Sequence, residues 1–245
     1  VPFEKIIRRD KDYLLCSVPS HNAVGTELVE RHLHGKIKSA GFQFPVPRQM
    51  PQNGFCFPRV PDKYLLKLAF VAKPGGIKAI GKMSGKPKIR LVIPASPDET
   101  KKYFILTNDR YFTKPFGVFV TPQEMEQHCR FCEESAEKTD SVLLMKGEKL
   151  AGMFSLIRRE PPGVEPYLLL AWSCISPELT KTERLDAHYQ ISRWLAKKCM
   201  GAELRAAIHV FNVRSQKFHF KLGMRPVRVV AQLRPAGCRA ARELL

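Results

Sequence analysis

Residues Asn212–Met224 read NVRSQKFHFKLGM. A strand-like run, Glu203–Phe211, precedes them and another, Arg225–Leu233, follows. The stretch between reads as a helix over Val213–Leu222. Gly223 stands where a helix ends in the left-handed conformation that glycine adopts without strain, and Met224 opens the next strand.

Upstream, the same alternation of strand and helix continues. Tyr167–Ile175 is apolar and strand-like, and Thr182–Met200 carries Leu185, Tyr189, Trp194 and Leu195 in a helical stretch. Val142–Lys146 and Lys149–Arg159 read as two strands of a hairpin turning at Gly147. Pro161-Pro162-Gly163 then breaks the chain before Tyr167. Further up, Phe116–Val120 is a short β-type run, and Thr121 with Glu124 forms a capping-box pattern predicting a helix to about Lys138. No repeat of solenoid length is present.

The order hairpin, strand, helix, strand, helix, strand resembles the second half of a GNAT N-acetyltransferase domain, and particular residues carry the resemblance. VLLMKGEKLAGMF, Val142–Phe154, is similar to the family's central hairpin, with Gly152 at its small-residue position. Ile175-Ser176-Pro177-Glu178 is similar to its V-x-P-E. Asn212, Ser215, Phe218, Lys221, Leu222 and Gly223 match N-x-x-[SA]-x-x-F-Y-x-K-L-G-F. The resemblance covers Val142–Leu233 and implies an α/β (α+β) fold with a mixed central sheet flanked by helices. It places the GNAT-like domain at residues 101–235, after an extended, basic, Pro/Gly-rich region at 1–100 and before a basic tail at 236–245.

The resemblance also implies acetyl-CoA as cofactor, held by [RQ]-x-x-G-x-[GA] after V-x-P-E. There, backbone N–H groups at a helix N-terminus bind the pyrophosphate, and glycine allows the close approach. Residue by residue, those positions are Thr180, Glu183 and Leu185. A carboxylate at Glu183 competes with phosphate, while Thr180 or Thr182 can cap the helix and Glu183 favours its positive end. Lys181 and Arg184 supply charge but not close backbone approach. The loop therefore reads as a structural helix start without cofactor. His219 stands where active members often carry the tyrosine that protonates the leaving thiolate; were the chain active, His219 and Asn212 would be the site residues, with Glu165 or Glu178 as conceivable bases.

Composition points to a polyanion. With 41 Lys and Arg against 23 Asp and Glu, the net charge is +18. From Lys63 to Arg90 there are eight basic residues and no acidic one, interleaved with Gly75, Gly76, Gly81 and Gly85. Lys73, Lys78, Lys82, Lys86, Lys88 and Arg90 suit a phosphate backbone, each cation neutralising a phosphate while glycines let main-chain N–H groups approach. Lys217, Lys221, Arg225 and Arg228 continue the theme near the C-terminus. RNA, rRNA in particular, is the partner this pattern fits, with neighbouring ribosomal proteins. A noncatalytic GNAT-type fold in a ribosome is one expectation; an acetyltransferase acting on a basic or RNA-bound substrate is the other.

No apolar run approaches the roughly 20 residues needed to span a bilayer. The chain opens at Val1 without an initiator Met; this fits a trimmed N-terminus, and a removed organelle presequence would place the protein in a mitochondrial ribosome, otherwise in the cytoplasm. Seven scattered cysteines read as reduced thiols. His128-Cys129-x-x-Cys132 has half of a zinc-site spacing but no second half, so packed thiols are expected and no metal. His32 and His34 read as a charged helix face, and Trp172 and Trp194 as core. Within residues 1–100, Phe42, Phe44, Phe55 and Phe57 among prolines read as anchors for extended chain. A helix within Val24–Ala40 and strands at Tyr64–Ala72 and Ile89–Ile93 interrupt it.

Overall fold

The computed structural model describes residues 5–9, 11–33, 37–45, 48–55, 57, 64–81, 85–107, 130, 139–210 and 212–233. In chain order its elements are β1 (Lys5–Arg9), β2 (Tyr13–Ser17), α1 (Thr26–Leu33), β3 (Ser39–Gln43), β4 (Tyr64–Ala72), β5 (Arg90–Val92) and α2 (Pro97–Thr107). There follow β6 (Thr139–Lys146), β7 (Lys149–Arg159), β8 (Tyr167–Ile175), α3 (Lys181–Lys198), β9 (Glu203–His209), α4 (Val213–Lys221) and β10 (Arg225–Leu233). The expected strand Phe116–Val120, the helix Thr121–Lys138 except for Arg130, which is helical, and the tail 236–245 lie outside the described residues.

Two compact units are present: Val1–Val71 with Ala207–Phe220 and Met224–Leu244, and Ala72–Ala206 with Lys221–Gly223. The chain passes between them within β4 and β9 and again on either side of Lys221–Gly223. The first hundred residues, read as largely extended chain, contain β1 to β5, α1 and the start of α2.

In the first unit the strand order is β1-β2-β3-β10-β4, antiparallel except where β2 runs parallel to β3. Strand β4 shows why the sequence chooses a strand here: Tyr64, Leu66, Leu68, Phe70 and Ala72 are buried and the residues between them are not, a period of two. Pro226 cannot donate to a ladder, and it sits where β10 pairs only with β4, beside a register shift before Arg228. The expected aromatic anchors cluster: His21 lies with its ring 5.9 Å from Phe44, 5.3 Å from Phe55 and 5.9 Å from Phe57. Phe42, Phe44 and Phe55 are buried.

In the second unit the order is β5-β6-β7-β8-β9, with β8 and β9 parallel and the other pairs antiparallel. The β6–β7 hairpin turns at Gly147 with φ +57°. Residues 151–157 of β7 are all buried, the mark of a strand covered on both faces. On one side Leu143, Met145, Met153, Trp172 and Cys174 form a core against which Tyr103 of α2 packs; α3 buries Ala187, Ile191 and Leu195. Gly152 is small for a reason: a Cβ there would stand 2.5 Å from the Cys174 carbonyl oxygen.

Candidate functional site

The first turn of α3 is closed by its own side chains. Thr180 Oγ1 accepts the Glu183 N–H at 3.3 Å, and the Glu183 carboxylate accepts the Thr180 N–H at 3.0 Å. This is a complete capping box. The other Glu183 oxygen meets Lys146 Nζ of β6 at 2.7 Å, with the carboxylate side chain only 9% exposed. Hydrogen bonding from Lys146, then from the Thr180 backbone, holds the Glu183 pKa down to about 2. Arg184 Nη2 donates to the Pro177 and Leu179 carbonyls at 3.2 and 2.9 Å and so closes the turn before the helix. Leu185 is 53% exposed. Thr180, Glu183 and Arg184 therefore all serve the helix start, and an ionised carboxylate stands among the N–H groups that a pyrophosphate would need.

Just before this turn, β8 is irregular. Ser155 of β7 faces Trp172 and Leu156 faces Leu170, so Ala171 is an extra residue on β8. Such a bulge bends its strand. The parallel ladder to β9 stops there, at Leu170 opposite Ala206, while β8 runs on to Ile175.

The motif on α4 is likewise engaged in structure. Asn212 Oδ1 accepts the Ser215 N–H at 3.0 Å, capping the helix. His219 is 1% exposed, and its Nδ1 lies 2.7 Å from the Ser215 carbonyl. A carbonyl only accepts, so Nδ1 carries the proton and donates it. Burial lowers the His219 pKa to about 4, leaving a neutral imidazole whose N–H is committed to the backbone. Phe70 and Phe218 pack around its ring, with centroids 5.8 and 5.4 Å away. Glu165 and Glu178, the conceivable bases, are exposed.

The basic, glycine-rich segment differs from the expectation of N–H groups offered to phosphate. It is a strap along α3. Gly75 N–H donates to the Cys199 carbonyl at 3.0 Å and Ile80 N–H to Ser192 Oγ at 2.9 Å. Lys88 and Ile89 N–H both donate to Asp186 Oδ2, at 2.7 and 2.8 Å. Lys78 N–H donates to the Leu222 carbonyl at 2.7 Å. Ile77 and Ile89 are buried beneath it. Gly223, with φ +93°, lies where a Cβ would collide with the Gly76 carbonyl, which explains this glycine beyond the C-cap alone. Lys73, Lys78, Lys86 and Lys88 are exposed; Lys82 lies outside the described residues.

Other cations are engaged within the protein. Arg90 pairs with Glu148 at 3.0 Å and donates to the Gly147 carbonyl. Arg225 lies 4.1 Å from the Phe220 ring centroid and donates to the Phe220 and Met224 carbonyls at 3.3 and 3.0 Å, neutralising the end of α4. Arg228 is half-buried, whereas Lys217 and Lys221 are exposed.

No protein-family model matches the sequence, and no curated protein matches it significantly. Among solved structures, a conserved protein of unknown function from Staphylococcus epidermidis is similar at a TM-score of 0.50 and 10% identity, covering 95% of each chain. A GCN5-related N-acetyltransferase from Kribbella flavida is similar at 0.45 and 12% identity, over 92% of this chain and 82% of that one. An acetyltransferase from Streptococcus agalactiae is similar at 0.42 and 10% identity, over 61% of this chain and all of the other. The element order Thr139–Leu233, hairpin, strand, helix, strand, helix, strand, is the one the motifs imply. At these identities the likeness is one of fold, and this chain shares the fold of the Staphylococcus epidermidis protein.

Within that fold, two structural residues carry no signal in the sequence. Gln216, fully buried, receives the Phe55 N–H on Oε1 at 2.9 Å and donates from Nε2 to the Val210 carbonyl at 2.6 Å. Asp186 anchors the strap. Both accept main-chain N–H groups from distant sequence, which no motif announces. Trp172 is core, its indole donating to Thr107 Oγ1 at 3.1 Å. Cys16, Cys174 and Cys199 are buried and in no disulfide, and burial raises the thiol of Cys174 to about 12 and of Cys199 to about 11. His32 packs on Phe42, ring centroids 5.8 Å apart. Cys129, Cys132, His34 and His128 lie outside the described residues. Among the described residues there is no cluster suited to a metal, and no helix long and apolar enough to cross a membrane.

Proposed function

We propose that this chain is a noncatalytic GNAT-fold protein of a ribonucleoprotein, a ribosomal or ribosome-associated component that binds RNA through phosphate contacts. One observation supports the loss of acetyl-transfer above the others: the Glu183 carboxylate, bonded to Thr180 N–H and to Lys146, occupies the end of α3 where pyrophosphate would be held. Displacing it would separate an ion pair and unmake a capping box, and a phosphate brought beside it would meet like charge. The neutral, buried His219 supports the same reading. The net charge of +18 supports the nucleic-acid half of it. A mitochondrial ribosome is the assembly this reading favours, by analogy with other proteins recruited to such particles.

Calorimetry with acetyl-CoA separates this from an acetyltransferase. No heat of binding is expected at millimolar cofactor, for the native chain or for Glu183→Gly, since removing the carboxylate does not rebuild the glycine-lined approach. Saturable binding by the native chain would restore the acetyltransferase reading. Co-sedimentation with ribosomal particles through high salt then distinguishes a resident component, which stays bound, from a peripheral factor, which washes off.

A further inference from the structure

Residues 73–81 and 85–90 of the strap hold their charged sequence along α3. Its main-chain N–H groups at Gly75, Ile80, Lys88 and Ile89 face α3 and its C-terminal cap. Ile77 and Ile89 of the strap are buried. Lys73, Lys78, Lys86 and Lys88 remain outward, and α3 adds exposed Arg193 and Lys197. The acids of α3 are held within the unit: Glu183 by Lys146, and Asp186 by the strap itself. The anchoring points run from Asp186 to Cys199, thirteen residues of helix at about 1.5 Å each, or about 20 Å.

A basic row of that length matches a run of backbone phosphates better than one phosphate group. Among the described residues of the strap Ile77 and Ile89 are buried and Ile80 is half-buried, so these offer no exposed large apolar side chain for insertion among lipids, as surface-bound membrane segments require. Its interaction is with repeated charge, without base reading.

Resting on the RNA-binding function proposed above, we infer that the strap over α3 is the RNA-docking surface, and that Asp186 is a positioning residue for it. Asp186 touches no RNA. It holds Lys86 and Lys88 in place by accepting two adjacent main-chain N–H groups.

The sign of one substitution tests this. Asp186→Ala removes a negative charge, so simple electrostatics predicts tighter RNA binding; loss of positioning predicts weaker binding. Filter binding with a mixed-sequence single-stranded RNA and an A-form RNA duplex should show at least a fivefold loss for Asp186→Ala. Asp186→Asn, which keeps an oxygen acceptor, should bind at least as tightly as the native chain. Lys86→Gln with Lys88→Gln, a surface change compatible with folding, should lose about fivefold on both RNAs. Equal or tighter binding by a folded Asp186→Ala protein overturns the role of Asp186, and unchanged binding by the lysine variant overturns the surface. If the native chain binds no RNA, the proposed function falls with it; if it binds RNA insensitively to all three variants, only the surface does. Phosphatidylserine vesicles should show no comparable dependence on Asp186, and the same dependence there would reassign the surface to lipid.

Discussion

Helices α3 and α4 carry the two stretches that resemble GNAT motifs, and each is followed or crossed by a basic segment, yet the structure treats their charges in opposite ways. Around α3 the main chain of the strap is turned inward, and Lys73, Lys78, Lys86 and Lys88 are left outside. After α4, Arg225 is held against Phe220 and two carbonyls, and Arg228 is half-buried. The difference follows from side-chain chemistry. A guanidinium stacks on aromatic faces and bonds carbonyls in a plane, so it enters structure readily, whereas an ammonium is a strongly hydrated point charge. A tally of basic residues therefore overstates the surface at α4 and describes it well at the strap.

The largest expected effect breaks this contrast if it is wrong. Replacing Lys73, Lys78, Lys86 and Lys88 together by Gln should lower RNA affinity about a hundredfold at moderate salt. It should also reduce the log–log salt slope by about 3, at roughly 0.7 per phosphate contact on a single strand. Arg225→Gln should change RNA binding by less than about twofold. Equal losses from the two variants would show that the contrast has no functional meaning.

The next effect concerns protons. The folded pKa of His219 is lowered from 6.5 to about 4, so the unfolded chain binds a proton first as pH falls. The stabilisation is present above pH 6.5 and is lost progressively as pH falls toward about 4. His188 shares that window, lowered to about 4 by burial and by Lys221 and Arg184. Glu183 adds a loss lower down, from 4.5 to about 2. Urea unfolding between pH 7 and pH 4.5 should show stability falling for the native chain and falling less steeply for His219→Gln. An equal slope for the two would place the acid sensitivity elsewhere, His188 first.

The sequence displayed the α3 and α4 units to different depths. Hairpin β6–β7 and strands β8 and β10 were legible because Gly147, the Pro161–Gly163 break and Gly223 punctuate runs of β-forming residues. A cap at Thr180 or Thr182 was legible in side chains, but not the bond that Glu183 returns to Thr180 to complete a capping box. Strands β1 to β3 were not, since prolines and interleaved phenylalanines read as extended chain until Gln216 and the His21 cluster are seen to hold Phe55. The strap was read as basic but not as bonded to α3: a main-chain N–H has no letter in the sequence. Its acceptors at Asp186 and Ser192 lie 98 and 112 residues from Lys88 and Ile80.

Arg225→Gln, silent toward RNA, should still destabilise the fold. It removes a stacked cation and two hydrogen bonds to carbonyls at the end of α4, together worth about 2 kcal/mol. Equilibrium unfolding in urea should show the loss as a lower midpoint with an unchanged slope; no change in midpoint would mean that water replaces the guanidinium without cost.

At the beginning of α3 the expected effect is smaller and more diagnostic. Thr180→Ala leaves the Glu183 N–H without its side-chain acceptor but preserves the Glu183–Lys146 pair, and should cost about 1 kcal/mol, the usual value of a lost N-cap. Thr180→Asn should recover most of that stability, because its amide oxygen can accept the same N–H. If Thr180 instead belonged to a cofactor loop, its stability cost would be slight and the deficit would appear in acetyl-CoA binding. Thermal unfolding of the two variants, each with and without acetyl-CoA, separates these cases. A cap gives a loss with Ala, a recovery with Asn and no response to the cofactor, and a rise in Tm with acetyl-CoA that disappears in Thr180→Ala would identify a binding loop.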